Sequence, residues 1–209
     1  MTLPLDPDSP TSDDISYPDP LPLKFWDMVR EDWIAHGKDW TLPGFRAVFV
    51  HRLGVWRMQI KTRLLRLPFS LLYNALYRKV RNTYGIELPY TVKLGRQVVF
   101  EHQGDIVIHG HCEIGDGSII RQGVTMGLRY LEHPYDVPKL GARVNVGAGA
   151  KLFGKIVIGD DVNIGANAVV LDDVPSGATV VGIPAKIVKI RECQKTQEPL
   201  SQEPVSEEG

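Results

Sequence analysis

Cysteine is scarce in this chain: Cys112 and Cys193 are the only two among 209 residues. Two thiols so far apart make no disulfide framework, and a reducing compartment suits them. No apolar run approaches the ~20 residues needed to cross a bilayer. The opening stretch MTLPLDPDSPTSDD lacks the basic-then-apolar layout of a secretory signal, so a cytoplasmic protein is expected. Net charge is missing too. Twenty-four basic against 25 acidic residues leave −1, which exerts no overall pull on nucleic acid or anionic lipid. Acid is absent locally: residues 57–81 hold several Arg and Lys and no Asp or Glu. A basic amphipathic surface touching a membrane or a polyanion would look like this, but a solvated helix face is the preferred reading.

The length allows one domain with appendages or two small domains, enough to bury a real core. Composition separates four zones. Residues 1–22 are acidic and Pro-rich with little to bury, and read as a disordered tail; residues 191–209 form a second polar, Glu-rich tail. Residues 23–84 carry apolar residues at helical spacing, such as Phe25, Val29 and Trp33, and predict an α-helical region. TLPG at 41–44 breaks it, and Gly85 follows the last helix.

Residues 85–190 decide the fold. Leu88, Leu94 and Phe100 are six apart, as are Ile108, Ile114, Ile120 and Met126. The step resumes with Leu140, Val146, Leu152, Ile158, Ile164 and Val170. A period of six fits neither an α-helix nor an alternating strand; it is a signature of a parallel β-helix. Each hexapeptide supplies a short strand and a turn, with the aliphatic side chain inward. Two irregularities stand out. Phe100 to Ile108 is eight residues, so two extra residues bulge out just after His102. Met126 to Leu140 is fourteen, so 127–139 must leave the coil as a loop. Flat solenoid faces carry little chemistry, so function is sought at these departures.

The segments GIELPYTVKLGRQVVFEHQGDIVIHG, IIRQGVTMG, VNVGAGAKLFGKIVIGDDVNIGANAVVLDDVP and ATVVGIPAKIV resemble the serine acetyltransferase family of hexapeptide-repeat acyltransferases. The match runs ungapped from about Gly85 to Val188 and continues more weakly through VREDW and PGFRAVFVHRLGVW. The resemblance implies a mainly β protein, a left-handed parallel β-helix, against the usual right-handed crossover. It also implies a homotrimer with acetyl-CoA in the grooves between neighbouring subunits, and no metal. By the same resemblance His102 is the catalytic histidine, Glu87 the carboxylate that orients it, and Glu101 an acidic residue at the acceptor site. Gly127, Ala148 and Ala166 match groove positions for the cofactor, and the GIPAK segment with Lys186 closes over it.

The chemistry agrees. A hydroxyl attacking a thioester must lose its proton, and an imidazole accepts one near neutral pH. A carboxylate on the other ring nitrogen fixes the tautomer and stabilises the imidazolium. Glu87 precedes His102 by fifteen residues, near one coil of about eighteen, which would stack the two on one face.

The family's Arg-His-Pro triplet, which receives serine's carboxylate and amine, is matched here by Asp136-Val137-Pro138. Arg129 and His133 are the substitutes that a refolded loop would supply. L-serine is the leading acceptor, and a sugar hydroxyl on an exopolysaccharide precursor is the alternative. His102, His109 and His111 also raise a zinc site of the hexapeptide carbonic-anhydrase kind, and a non-catalytic trimeric scaffold is a further alternative. The GIPAK ending and the groove alanines favour acyl transfer over zinc; a scaffold has no use for His102 with Glu87. His109 and His111 read as turn or surface residues, and His36 and His51 as satisfied by local hydrogen bonds.

Overall fold

The computed structural model describes residues 23–191. The tail expected at 1–22, and that at 191–209 apart from its first residue, lie outside the described residues, Cys193 included.

Three helices come first: α1 (Phe25–Ala35), α2 (Pro43–Met58) and α3 (Arg63–Tyr84). Pro43 opens α2, where its missing N–H would have had no partner anyway. Gly85 ends α3 at φ 62°, a left-handed geometry that a Cβ disfavours. The chain also breaks at 59–62, where the sequence shows neither Gly nor Pro. The reason is tertiary. Turning back there sets Phe69 edge-on to Trp56 with ring centroids 5.1 Å apart, and lays Arg57 4.3 Å above the Tyr73 ring. One continuous helix would forgo both contacts.

Residues 86–190 form a three-faced parallel β-solenoid. A five-stranded face holds β1 (Ile86–Glu87), β4 (Ile106–Ile108), β7 (Thr125–Gly127), β10 (Lys151–Phe153) and β13 (Val169–Val170). A four-stranded face holds β2 (Lys93–Leu94), β5 (Glu113–Ile114), β8 (Lys139–Leu140) and β11 (Val157–Ile158). The third holds β3 (Val99–Glu101), β6 (Ile119–Arg121), β9 (Asn145–Val146), β12 (Asn163–Ile164) and β14 (Ala178–Val181). There β15 (Lys186–Ile190) adds an antiparallel sixth strand to β14.

Register measures each coil. Ile108 pairs with Met126 and Leu152 with Val170, both 18 residues on. Ile86 pairs with Ile106, 20 on, because two residues are inserted after His102. Met126 pairs with Leu152, 26 on, because residues 128–138 loop out. The six-step aliphatic series is only half of the core. A second inward column sits two residues earlier: Val92, Val98, Ile106, Cys112, Ser118, Val124, Val144, Ala150, Ile156, Val162 and Ala168, nearly all fully buried. Burial pushes the Cys112 thiol up to about 12, so it packs as a small apolar residue rather than a nucleophile.

The helices join the solenoid through buried polar groups. On α2, His51 is buried with Nε2 2.9 Å from the Val92 carbonyl oxygen. Burial first, then the neighbouring Arg52 charge, pulls its pKa down to about 3. An unfolded histidine titrates near ~6.5. Below that pH the unfolded chain binds a proton that the folded chain refuses, so stability falls as pH drops toward about 3. Burial lowers His36 in the same direction. The urea-unfolding free energy should therefore decline by up to about 1.4 kcal/mol per pH unit for each such histidine. His51→Gln should flatten that decline, and an undiminished slope in this variant would assign acid unfolding to other groups.

Candidate active site

The connections from the six-stranded to the five-stranded face stack into one edge of the solenoid. They comprise residues 102–105, 122–124, 147–150 and 165–168. Backbone bonds tie them together: Gly123 N–H donates to Gly104 O, Gly149 to Gln122 O and Asn167 to Ala148 O, each at 2.8 Å. His102, Ala148 and Ala166 thus lie along a single edge, although the sequence scatters them over 65 residues. The two-residue insertion puts inward-facing Phe100 and Ile106 two residues further apart than the matching pairs at the later corners, such as Ile120 and Val124. His102 adopts φ +66° and is exposed, a left-handed conformation that His tolerates better than most residues do.

Residues 182–185 close the far end of this edge. Val169 N–H donates to Gly182 O at 3.0 Å, and Ala185 N–H donates to Val169 O at 2.8 Å. Lys186 follows at the start of β15, exposed.

A cavity of ≈ 620 Å³ opens beside His102. Glu101, His102 and Gln103 form one wall, and Ala35, His36 and Pro43–Gly44 form the other. Gly44 sets the spacing between the walls. A Cβ there would come far inside contact distance of the Phe100 carbonyl oxygen, so α2 starts directly against the β3 backbone. His36 Nδ1 lies 2.7 Å from Asp32 O, while its Nε2 accepts from Phe100 N–H at 3.3 Å. Both ring nitrogens are occupied, which fixes this histidine as a neutral structural wall. Glu101 is held by Arg121 at 2.8 Å, its neighbour on β6. Arg121 in turn donates to Asn145 Oδ1, and Asn145 Nδ2 donates to Asn163 Oδ1 at 3.3 Å, giving a polar ladder across the six-stranded face.

Glu87 sits differently from the stacking expected of it. Because the first coil is 20 residues long, the residue paired with Glu87 is Val107, and His102 occupies the corner before that strand. Glu87 therefore lies on the five-stranded face near the start of the first coil and His102 in the corner that ends the same coil, so the two do not share a face. No hydrogen bond or ion pair among the described residues joins them. Burial, followed by the Glu87 charge, pushes the Tyr77 phenol up to about 12.

Gly127, Arg129 and His133 lie on a second edge, where the five-stranded face turns toward the four-stranded one. Gly127 is buried in β7 opposite Phe153, with His109 as its nearest side chain. Arg129 lies across Gly154, its guanidinium 5.4 Å from the Tyr130 ring centroid. Arg129 and His133 are exposed, whereas Val137 is buried in the core. The loop thus ends in an apolar anchor at the position matching the family's polar triplet. His109, His111 and Tyr135 pack ring to ring on this same edge, away from His102. Among the described residues no three His, Cys, Asp or Glu converge to hold a metal.

No protein-family model matches the chain. The chain is 40% identical over 165 residues to the serine acetyltransferase of Helicobacter pylori strain J99, covering 77% of this chain and 92% of that protein. It belongs to the serine acetyltransferase family. A serine acetyltransferase from Brucella abortus strain S19, solved with coenzyme A, superimposes with a TM-score of 0.68 at 27% identity. That match covers 81% of this chain and 70% of the other. A serine acetyltransferase solved with cysteine gives 0.68 at 29% identity, covering 80% and 67%.

This member of the serine acetyltransferase family is accordingly an acyltransferase built on a β-solenoid. Two residues of its cavity wall, and the ion-pair partner of a third, were not legible as site residues. His36 reads in sequence as a locally satisfied histidine, Gly44 as a helix break and Arg121 as an unremarked strand residue. The spacing from Glu101 to Arg121 reveals their pairing only once the 20-residue coil is known.

Proposed function

We propose that this chain is a serine O-acetyltransferase, moving the acetyl group of acetyl-CoA to the L-serine hydroxyl in cytoplasmic cysteine biosynthesis. The observation that carries this reading is the edge joining His102, beside the cavity, to Ala148, Ala166 and residues 182–186. In the proposed reaction His102 accepts the hydroxyl proton as the serine oxygen bonds to the thioester carbonyl carbon. The carbon–sulfur bond breaks, and His102 returns the proton to the departing thiolate, leaving an ester and free CoA. Glu87 orients the imidazole once substrate closes the gap, since catalytic hydrogen bonds are often long in the free enzyme. Glu101, held by Arg121, faces the acceptor.

Small residues suit the other end of the groove. A Cβ on Gly147 would lie 2.6 Å from Ala166 N, so the backbones of successive corners approach closely. Ala148 and Ala166 then leave room for the pantetheine arm, with Lys186 over it and Gly127 contributing from the second edge.

Within one chain the loop carrying Arg129 and His133 belongs to a different edge from His102. A homotrimer would bring the loop of one subunit to the cavity of the next, and this is the assembly we propose. A second reading rests on Val137. With that residue in the core and Asp136 beside it, the loop offers serine's carboxylate less than the family triplet does, which favours a sugar hydroxyl on an exopolysaccharide precursor.

A thiol-release assay with acetyl-CoA against L-serine and a panel of sugars separates the two. Turnover with L-serine well above any sugar is expected. Silence with serine and turnover with a sugar would replace the first reading with the second.

A further inference from the structure

The most conspicuous surface outside the cavity is the outward side of α3. Leu64 is 78% exposed, Leu67 53% and Leu71 62%, and the spacing i, i+3, i+7 aligns them on one line. Leu65 and Leu72 flank that line, also exposed. The residues that α3 buries, Tyr73 and Val80, point the other way, into α2 and the solenoid. A solvated face was the preferred sequence reading for 57–81, yet leucines hold the positions where a solvated face would carry polar groups.

The leucine line does not stand alone. Leu72 also lines an apolar groove of ≈ 600 Å³ between the helices, with Phe25, Trp26, Trp56, Phe69 and Leu76. Trp26 is 69% exposed at its mouth. Along α2 and α3 the charge has one sign, while α1 adds an exposed Asp27 beside Trp26. From Trp40 to Ile86 the chain has nine Lys or Arg and no Asp or Glu. Lys61 and Arg63 stand at one end of α3, and Arg78, Lys79 and Arg81 toward the other, all exposed. Among the described residues none of these five forms an ion pair.

We infer that α3 lies on an anionic phospholipid surface, with its leucines among the acyl chains and its arginines and lysines at the phosphates. Charge selects this occupant. In a symmetric pair a second copy of α3 would bring cations to cations, and neither α2 nor α3 has a carboxylate to set between them. A phosphate-rich surface complements both parts at once, and exposed Trp beside Leu suits the boundary between headgroups and acyl chains. No helix among the described residues is long and apolar enough to cross a membrane, so the contact is with the surface. The inference is independent of which hydroxyl is acetylated.

The test is sedimentation of the full chain with phosphatidylcholine vesicles, with and without phosphatidylglycerol. Binding is expected only when phosphatidylglycerol is present, and it should weaken as salt rises. Leu67→Glu/Leu71→Glu should lower vesicle affinity about tenfold or more, with elution volume and thiol release unchanged. Arg63→Gln/Lys79→Gln should lower it by a similar factor, since each basic residue near the surface is worth roughly fivefold. Three results would overturn the inference: no binding to phosphatidylglycerol vesicles, equal binding to phosphatidylcholine alone, or undiminished binding by the leucine variant. A leucine variant that elutes as a smaller assembly would instead assign this face to contact between copies.

Discussion

His102→Ala should lower turnover by about 10²-fold or more, the usual worth of a positioned general base, while leaving the acetyl-CoA KM and the assembly nearly unchanged. The separation follows from the edge. Ala148 and Ala166 occupy later corners than His102, and their positions depend on backbone bonds between corners rather than on the imidazole. The His102 side chain makes no hydrogen bond with any described residue, so its removal leaves no buried partner unsatisfied. Steady-state thiol release, with acceptor and acetyl-CoA varied in turn, measures both constants, and gel filtration checks the assembly. Full turnover in the alanine variant would remove His102 from the mechanism. Glu87 enters the same measurement: an orienting carboxylate predicts a smaller loss in Glu87→Gln together with an altered pH profile, which a purely structural Glu87 would not produce.

Asp32→Ala should cost about 3–5 kcal/mol of folding free energy, the penalty for leaving one member of a buried ion pair without the other. Arg52 Nε donates to Asp32 Oδ2 at 2.9 Å, and both side chains are 1% exposed. The same guanidinium donates to Leu94 O at 2.8 Å and Gly95 O at 2.6 Å. One residue of α2 therefore holds α1 on one side and the first solenoid coil on the other. Without Asp32 the charge keeps two carbonyls but loses its counter-ion in a site closed to water. Urea unfolding would measure the loss. The double variant Asp32→Leu/Arg52→Leu should recover part of it, because an apolar pair leaves nothing unpaired. A single Asp32 variant as stable as the parent would show that water reaches this pair. Activity should suffer too, since α1 carries Ala35 and its neighbour His36 completes the cavity wall.

What could be read in advance differs from element to element. The six-step series from Leu88 to Val170 named the solenoid because each hexapeptide repeats one local geometry, and repetition survives any doubt about a single strand. The extra residues after Phe100 and after Met126 were legible for the same reason: a regular period makes an insertion countable. The helix break at 59–62 was not, because it serves Phe69 and Tyr73 packing on α2, not a local signal. The outward leucines of α3 were hidden likewise. Periodicity shows that a helix has an apolar side, not which side its neighbours cover.

By itself, then, the amino-acid order determined the coil, its two irregularities and the histidine at one of them, since those depend on spacing within a few residues. Tertiary structure alone decided that Val107 rather than His102 stacks on Glu87, that Gly44 and His36 wall the cavity, and that Arg129 stands on another edge. Those relations link residues 20 to 64 positions apart, and the lengths of whole coils and the docking of helices on them set such distances.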